Sequence, residues 1–374
     1  MIKVLHVLAS LEGSGGVQKR LIDNYYNMNR SEVKFDFIVH GYDIGELEES
    51  IKKIGCNIYH VPRKRGLGLF KNITNINNII RDGKYDIVQS HMEHAGAIVL
   101  SIAKKHRIKV RIAHSHLANI YSKGIVKKIK RICTYIINLT ATDYWACSNE
   151  AGVWLFGNKV IEEKKLKVIP NAIDVNRFKL DEKKRLEYRK ELNLKNQFTL
   201  VNVGRLSYQK NHEFLFQIFK EVLNLESNSK LLLVGDGELK AELYEKVKEI
   251  NIENDVIFLG TREDVYNILQ AADVMLHPAL FEGLGNVLIE AQAAGLPIIA
   301  SDEGIPKETK ITEIIKYISL KENKYIWAEE IINLKNFDRI DTSELVKKAN
   351  FDCKEQAIIL QELYKELVKN TSKG

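Results

Sequence analysis

Two glutamates frame a glycine-rich segment in the second half of the chain. Glu282 and Glu290 lie eight positions apart in the stretch HPALFEGLGNVLIEAQAAGLPIIAS. The run NVLIEAQAA favours a helix that begins near Asn286, and Gly295-Leu296-Pro297 predicts its end. We therefore expect Glu282 in the loop before this helix and Glu290 about one turn inside it.

The segment between the two glutamates has the chemistry of an anion site. Gly283, Leu284 and Gly285 precede the helix, and glycines ahead of a helix N-terminus let backbone N–H groups face a phosphate. The flanking carboxylates would repel that phosphate unless each had another partner, and sugar hydroxyls suit them because a carboxylate accepts such hydrogen bonds. The arrangement favours a nucleotide-sugar. A capped helix with a solvated Glu290 explains the spacing equally well.

A second polar segment, VNVGRLSYQKN, follows a predicted strand that ends at Val203. It places Gly204, Arg205 and Lys210 in the following loop and helix start. A guanidinium group is a planar fork for phosphate oxygens, and a lysine adds a mobile point charge. The pair could neutralise a diphosphate leaving group as a sugar bond breaks. Either residue alone is better explained as a solvated surface cation.

Both segments lie at the ends of strands in a repeating α/β pattern. Short β-branched runs alternate with helical patterns in each half. The predicted strands of the first half are IKVLHVLAS, KFDFIVH, YDIVQSH, VRIAHSH and DYWACS, and those of the second half are FTLVNVG, KLLLVGDG, DVIFLG, DVMLHP and PIIAS. Continuous apolar strands are typical of parallel sheets with helices on both faces. The chain therefore predicts two doubly wound, Rossmann-like α/β domains that face each other across a cleft, with the boundary between Val168 and Leu194.

Composition indicates a folded protein of a reducing compartment. The four cysteines form no CxxC pair, which argues against a disulfide framework and a zinc ribbon. No apolar run approaches the ~18 residues that a membrane span needs, and MIKVLHVLAS reads as a strand rather than a signal peptide. We expect a cytoplasmic location.

The positive charge is concentrated in one segment. The formal net charge is +7, from 56 basic and 49 acidic residues. Between His94 and Thr142 the chain has ten Lys or Arg and no Asp or Glu. Such one-sided segments favour anionic partners.

Part of this segment, residues 122–139, predicts an amphipathic helix with a cationic face. One explanation is a core helix of the first domain with a solvated basic face. The other is docking of residues 104–131 on an anionic membrane surface, where each Lys or Arg contributes ~1 kcal/mol. The apolar positions are Ile125, Ile129, Ile132 and Ile136.

Four histidines follow two predicted strands of the first half. His91 and His94 come at the end of YDIVQSH and just after it, and His114 and His116 end VRIAHSH. Four histidines suggest zinc, but we expect the side chains of a strand-end His-x-His to point in opposite directions. No Cys or acidic residue completes a ligand set. We therefore predict no metal site and no cofactor.

Taken together and in this order, the motifs resemble those of retaining GT-B glycosyltransferases of family GT4. FEGLGNVLIEA is similar to the E-x7-E signature of that family, GRLSYQKN to its Arg/Lys diphosphate motif, and VIPNAIDVNRF to its interdomain strand. GSGGVQKRL resembles its glycine loop, and LLLVGDGEL a strand–turn–helix. The resemblance covers residues 1 to about 305. RIAHSHL and SDEGIPKETKITEIIKYISL resemble the EpsF-like members of bacterial exopolysaccharide and capsule clusters.

The resemblance implies an architecture and an activity. It implies an N-terminal acceptor-binding domain at 1–170, a C-terminal nucleotide-sugar domain at 171–352, and a final helix at 353–374 that crosses back to the first domain. The implied reaction is metal-independent transfer from a nucleotide-diphosphate donor, preferably a UDP-sugar, with retention of configuration. The implied acceptor is a saccharide linked to a lipid such as undecaprenyl diphosphate, at the inner face of the membrane. Nucleic acid is not an expected partner.

The resemblance also implies roles for individual residues. Glu282 would bind hydroxyls of the transferred sugar and Glu290 the ribose, while Arg205 and Lys210 would hold the diphosphate. His114 would contact the donor sugar or its phosphate, with His116 as a one-register alternative. The remaining donor-binding residues would be Gly15, Gly16, Asn171, Gly204, Gly283, Leu284, Gly285 and Asn286. Many relatives have an aromatic residue in place of Leu284 and an apolar one in place of Asn286, so the donor pocket is expected to differ from theirs.

Three rival functions stay open. A glycoside hydrolase could use the two glutamates as acid and nucleophile, but it would leave Arg205 and Lys210 without a purpose. A nucleotide-sugar epimerase of the same architecture would convert a UDP-sugar without any acceptor. A basic lipid- or nucleic-acid-binding protein would leave the glutamates idle. The sequence disfavours a dehydrogenase, because no G-x-G-x-x-G follows the first strand and no acid ends KFDFIVH.

Overall fold

The chain divides into two compact units. The computed structural model describes residues 1–11, 16–45, 47–63, 68–117 and 124–372. Unit 1 consists of Met1–Ala172 together with Cys353–Gly374, and unit 2 consists of Ile173–Asp352. Within the described ranges, no helix is long and apolar enough to cross a bilayer.

In its described part, unit 1 contains a seven-stranded parallel sheet of order β3-β2-β1-β4-β5-β6-β7. The strands are β1 (Ile2–Leu8), β2 (Val33–His40), β3 (Ile58–Val61), β4 (Ile87–Ser90), β5 (Val110–Ser115), β6 (Asp143–Ala146) and β7 (Leu166–Val168). The helices are α1 (Gly16–Asn27), α2 (Glu48–Lys53), α3 (Gly68–Gly83), α4 (Gly96–Lys105), α5 (Gly124–Thr140), α6 (Asn149–Phe156) and α7 (Asn158–Glu162).

Unit 2 repeats this architecture with a six-stranded parallel sheet of order β10-β9-β8-β11-β12-β13. Its strands are β8 (Phe198–Val203), β9 (Ser229–Val234), β10 (Val256–Gly260), β11 (Val274–His277), β12 (Ile298–Ser301) and β13 (Ile315–Ile318). Its helices are α8 (Val175–Phe178), α9 (Glu182–Glu191), α10 (His212–Leu225), α11 (Lys240–Glu249), α12 (Val265–Ala271), α13 (Asn286–Ala293), α14 (Lys324–Ile332) and α15 (Ser343–Lys348).

The strand order of each sheet reverses next to its first strand. In unit 1, β1 lies between β2 and β4, and in unit 2, β8 lies between β9 and β11. Crevices form at such reversals, outside the carboxyl ends of the strands, because the connecting chains leave in opposite directions. We therefore expect ligand-binding residues directly after β1, β4, β8 and β11.

Apolar clusters on both sides of each sheet explain why the strands are continuously hydrophobic. In unit 1, Val4 and Phe35 belong to one cluster, while Leu5 and Val88 belong to another. In unit 2, Leu200 and Val201 are neighbours in sequence and also lie in different clusters. Alternate side chains of one strand thus enter separate cores, and the predicted doubly wound α/β class is confirmed.

The final helix, α16 (Cys353–Ser372), packs on unit 1, as the family resemblance implied. Leu360 and Tyr364 belong to the same apolar cluster as Phe35 and Trp145. The hydroxyl of Tyr364 also donates a 2.7 Å hydrogen bond to Gln89 Oε1 at the end of β4.

Candidate active site

The strand ends of unit 2 bring Lys210 and Glu282 into direct contact. Lys210 lies in the 3-10 turn after β8, and Glu282 lies in the loop between the neighbouring strand β11 and α13. Lys210 Nζ donates to Glu282 Oε1 over 2.5 Å, and His277 Nε2 is 2.9 Å from the same oxygen. Gln209 Nε2 donates to Glu282 Oε2 over a longer 3.3 Å. The predicted acid and one predicted cation therefore form a buried pair.

These partners set the charge of the Glu282 carboxyl. Burial by itself would raise its pKa, but the ammonium of Lys210 and the hydrogen bond to His277 outweigh burial and lower the pKa to about 2. Burial and the charge of Lys210 lower the pKa of His277, against the opposing effect of Glu282. At neutral pH the site consists of an ion pair beside a neutral imidazole.

Two glycines make room for this pair. Gly285 has a φ of +73°, in the left-handed region, and leads the chain directly into α13. A Cβ atom on Gly204 would lie 2.6 Å from Lys210 Cε. A side chain at position 204 would therefore push the lysine away from Glu282.

Arg205, the other predicted cation, pairs with Glu238 rather than with Glu282. Its Nε donates to Glu238 Oε2 over 3.0 Å, and 74% of its side chain is exposed. Exposed ion pairs are weak, so the guanidinium can exchange Glu238 for a more highly charged ligand.

The segment between the two glutamates presents polar groups beside the ion pair. Leu284 is buried, and its carbonyl oxygen accepts a 2.5 Å hydrogen bond from Thr309 Oγ1. The side-chain oxygen of Asn286 is buried without a hydrogen-bond partner in the described part of the chain, so a ligand could satisfy it. Gly283 and Glu290 are half-buried, and Glu290 lies on the second turn of α13, as predicted.

The other predicted residues belong to unit 1. His114 on β5 and Asn171 after β7 both line a pocket with a free volume of about 30 Å³. Gly16 begins α1, which contributes Val17 and Arg20 to the same pocket. Gly15 lies outside the described residues.

The expectation that His114 and His116 diverge is wrong. Their ring centroids are 4.1 Å apart, and both rings line the pocket of unit 1. The reason is strand geometry, because residues i and i+2 of a strand point to the same face. His91 joins them, with its Nδ1 2.8 Å from His116 Nε2. His114 and His116 are therefore neighbours rather than alternatives.

The basic amphipathic segment forms α5, and most of its predicted apolar stripe faces solvent. The buried residues described for this helix are Ile137 and Thr140, and Ile136 packs beside the core. The large apolar side chains of α5 that are exposed are Ile125, Val126, Ile129, Ile132, Tyr135 and Leu139. The core-helix explanation therefore does not account for this face.

The sequence analysis missed three residues that contact the predicted ones. These are His277 and Gln209 beside Glu282, and Glu238 beside Arg205. His277 could have been predicted from the sequence, because it is the last residue of β11. Polar residues at the carboxyl ends of parallel strands face ligand sites. Gln209 and Glu238 lie in turns, where polar residues are common.

Two family models match the chain in succession. One, described as Glycosyltransferase Family 4, matches residues 14–177, and the other, described as Glycosyl transferases group 1, matches residues 184–349. EpsF of Bacillus subtilis (strain 168), which carries the name of a glycosyltransferase, is 30% identical over 333 residues, or 88% of this chain and 86% of EpsF.

Two further comparisons concern named sugar donors. An Escherichia coli protein named UDP-Gal:alpha-D-GlcNAc-diphosphoundecaprenol alpha-1,3-galactosyltransferase is 30% identical over 238 residues, 62% of each chain. The crystal structure of Anabaena Alr3699/HepE in complex with UDP-glucose superposes with a TM-score of 0.76 at 20% identity, covering 99% of this chain and 100% of that one. At that identity the superposition shows a shared fold.

Proposed function

The chain belongs to the GT4-type glycosyltransferases, and from that premise we propose that it moves a sugar from a UDP-sugar to a lipid-linked saccharide, with retention of configuration. The observation that carries the proposal is the buried contact between Lys210 and Glu282, because it joins the predicted diphosphate motif to the predicted sugar-binding motif. The setting we propose is the synthesis of a bacterial surface polysaccharide. The name of the Escherichia coli relative supports this choice of donor and acceptor.

The donor sugar would bind through Glu282. One of its oxygens already accepts from Lys210 and His277, whereas the other accepts only a 3.3 Å hydrogen bond from Gln209 among the described contacts. A carboxylate oxygen accepts more than one hydrogen bond, so this second oxygen has capacity for sugar hydroxyls. Glu290, one turn into α13, would bind the ribose.

The diphosphate would bind to Arg205, Lys210 and the backbone N–H groups at the start of α13. Negative charge develops on the leaving phosphate oxygen as the bond to the sugar lengthens, and preorganised cations and a helix N-terminus stabilise it. The acceptor hydroxyl would attack the same face of the sugar, and its proton would pass to the departing phosphate oxygen. In this scheme two protein cations do the work of a divalent metal.

Neither glutamate acts as a nucleophile in this scheme. A carboxylate whose pKa is about 2, and which already bonds an ammonium and an imidazole, is a weak nucleophile. Its role is to position the donor. A glycoside hydrolase, which needs a raised pKa on one of two carboxyls, fits Glu282 poorly.

For unit 1 we propose the roles that the family resemblance implies. Gly16, at the start of α1, would approach the donor phosphate together with Gly15. His114 would contact the sugar or its phosphate, and Asn171 lines the same pocket as His114. Unit 1 as a whole would receive the acceptor.

The exposed face of α5 would hold unit 1 on an anionic membrane, where a lipid-linked acceptor resides. Ile129 and Ile132 are 54% and 59% exposed, and Lys127, Lys128 and Arg131 lie on the same helix. Apolar side chains that enter the acyl boundary and cations that contact lipid phosphates are the two components of interfacial binding.

The proposed role of Arg205 is tested by Arg205→Ala. The side chain is exposed and its described partner is one surface carboxylate, so the variant should fold normally. We expect kcat to fall by about 100-fold at saturating donor, the effect of removing one charge-stabilising group. Lys240→Ala is a matched control, because Lys240, the first residue of α11, also forms an exposed ion pair with a carboxylate after β9. Near-normal turnover of the Arg205 variant would refute the role.

Retention is tested on the product. With UDP-galactose or UDP-glucose and a lipid-diphosphate monosaccharide as acceptor, we expect the new linkage to keep the α configuration of the donor, as read from the anomeric proton coupling by NMR. A β linkage would reject the retaining mechanism. Conversion of the UDP-sugar without any acceptor would identify an epimerase, and release of free sugar would identify a hydrolase.

A further inference from the structure

Four histidine rings meet on three neighbouring strands of unit 1. His6 lies on β1, His91 follows β4, and His114 and His116 lie on and just after β5. His6 Nδ1 is 3.0 Å from His91 Nε2, and His91 Nδ1 is 2.8 Å from His116 Nε2. His91, His114 and His116 each offer a ring nitrogen within 4.8 Å of the other two.

We propose that His91, His114 and His116 form a binding site for a transition-metal dication of the Zn²⁺ class, with a fourth position open to water or an anion. The proposed diphosphate site is built from Arg205, Lys210 and α13 of unit 2, whereas the metal site shares His114 with the donor contact proposed for unit 1. The three side chains would bind the metal through imidazole nitrogens. Zn²⁺ and the neighbouring transition-metal ions bind imidazole well, because both the ions and this nitrogen are intermediate between hard and soft.

The hydrogen bonding of the rings leaves one nitrogen for a metal and pairs two others. His114 Nε2 is buried without a hydrogen-bond partner in the described part of the chain, whereas His91 Nδ1 and His116 Nε2 would exchange their mutual hydrogen bond for the metal. A buried polar atom without a partner is destabilising. A metal ion bound at His114 Nε2 would remove that destabilisation.

The remaining nitrogens of two ligand rings have outer partners, as metal-binding histidines usually do. His114 Nδ1 is 2.9 Å from Gln89 Nε2, and the oxygen of the same amide accepts from Tyr364. A metal at His114 Nε2 requires a proton on Nδ1, so the Gln89 amide would turn its oxygen towards His114 to accept from it. His91 Nε2 contacts His6 Nδ1. These contacts orient the rings from the side away from the metal.

The distance between the ligand nitrogens of His91 and His116 requires only a small adjustment. Zinc–nitrogen bonds of about 2.0–2.1 Å in a tetrahedron place two ligand nitrogens about 3.3 Å apart. His91 Nδ1 and His116 Nε2 are 2.8 Å apart, so the rings would separate by about half an ångström. The free volume of about 30 Å³ in the pocket holds about two water molecules, which leaves space for a fourth ligand.

The charged residues around the pocket indicate which ions it could bind and which fourth ligand a bound metal would take. Arg20 lines the pocket, and no Asp or Glu does so among the described residues. Mg²⁺ and Ca²⁺ prefer oxygen ligands, above all carboxylates, so this pocket disfavours them. The guanidinium of Arg20 disfavours a bare cation and favours an anion, such as hydroxide or phosphate, in the fourth position.

The test is a titration of the tag-free, metal-free full chain with Co²⁺ and Zn²⁺. We expect one equivalent of Co²⁺ to produce the strong visible absorption of a four-coordinate ion, Zn²⁺ to abolish that absorption, and Mg²⁺ to have no effect. Zinc-edge X-ray absorption of the wild-type protein should count three imidazole ligands. No stoichiometric binding, or a zinc shell without imidazole, would overturn the proposal.

Variants locate the site. His91→Asn and His116→Gln should each weaken Zn²⁺ binding by about 100-fold. This is the upper end of the 10–100-fold loss that follows removal of an outer partner, because each variant removes a metal ligand itself. His106→Asn is the matched control, since His106 is a half-buried histidine of the same unit that bonds Asn77. Circular dichroism establishes that each variant is folded. Unchanged Zn²⁺ binding in folded His91 and His116 variants would show that the metal binds elsewhere.

Discussion

At the residue scale, Lys210 is the main group that keeps Glu282 ionised, with a further contribution from His277. The pair with Lys210 is almost fully buried, with 12% and 9% of the two side chains exposed. Removing one member of such a pair leaves an uncompensated charge in a low-dielectric environment, which is costly. Each of the two buried charges therefore depends on the other for its compensation.

Lys210→Met should destabilise the protein in a pH-dependent way. The pKa of Glu282 in the folded protein is about 2, below its unfolded value, so the pair stabilises the fold above pH ~4.3 and this contribution disappears as the pH falls toward 2. Without Lys210, burial raises the pKa instead. We expect a loss of about 3 kcal/mol at pH 7 and a much smaller loss near pH 3, measured by urea unfolding.

Lys240→Met is the control for that experiment. Lys240 Nζ also lies 2.5 Å from a carboxylate, that of Asp236, but both side chains are more than 40% exposed. We expect little change in unfolding free energy at either pH, because solvent screens the pair. A loss for Lys210→Met that is equal at pH 3 and pH 7 would contradict the buried-charge explanation.

At the scale of elements, α5 differs from the other long helices of unit 1 in what it leaves uncovered. α1 and α16 bury one face against the sheet, with Tyr25 and Tyr364 in the same apolar cluster. α5 contributes Ile137 to a smaller cluster and leaves Ile125, at its start, 73% exposed. A helix with uncovered isoleucines and a run of lysines matches an interfacial helix.

Replacing Ile129 and Ile132 by serine should weaken binding to vesicles that contain phosphatidylglycerol. Both side chains are exposed, so the loss would come from lipid contact rather than from unfolding, and we expect about a 10-fold decrease in a co-sedimentation assay. Replacement of Ile358 and Ile359, the exposed pair on α16, is the control. Equal binding by wild type and the α5 variant, or no binding by either, would reject membrane docking through α5.

At the scale of the whole molecule, one architecture occurs twice in one chain. Each sheet reverses its strand order next to its first strand, and each reversal carries polar groups at the strand ends. In unit 2 these groups are an ion pair and a helix N-terminus, whereas in unit 1 they are imidazoles, amides and Arg20. The two units therefore offer different chemistry to ligands on the same scaffold.

The proposed preference for a uridine nucleotide can be tested on the intact chain, by measuring how much each nucleotide raises its melting temperature. We expect UDP and UDP-sugars to raise the melting temperature more than GDP or ADP. At equal concentrations the ligand with the lowest Kd stabilises the folded state most, by about 2.7 kcal/mol at 100 times its Kd. Arg205→Ala should reduce the shift with UDP. A larger shift with GDP or ADP would overturn the choice of base.

The sequence by itself was sufficient for the fold class and for the position of the motifs. Continuous apolar strands and helical spacing are local patterns, and they predicted the doubly wound sheets and the helix that begins at Asn286. Three strands were missed, β3, β7 and β13, and all lie at sheet edges. Edge strands are short and partly exposed, so their hydrophobic pattern is weak.

Only the tertiary structure decided which side chains meet. The contact between Lys210 and Glu282 joins residues 72 positions apart, and Gln89 and Tyr364 are separated by 275. The convergence of His91 with His114 and His116 follows from the pairing of β4 with β5. Strand order and burial are set by the packing of the whole unit, and they determine contacts and pKa values that no local spacing contains.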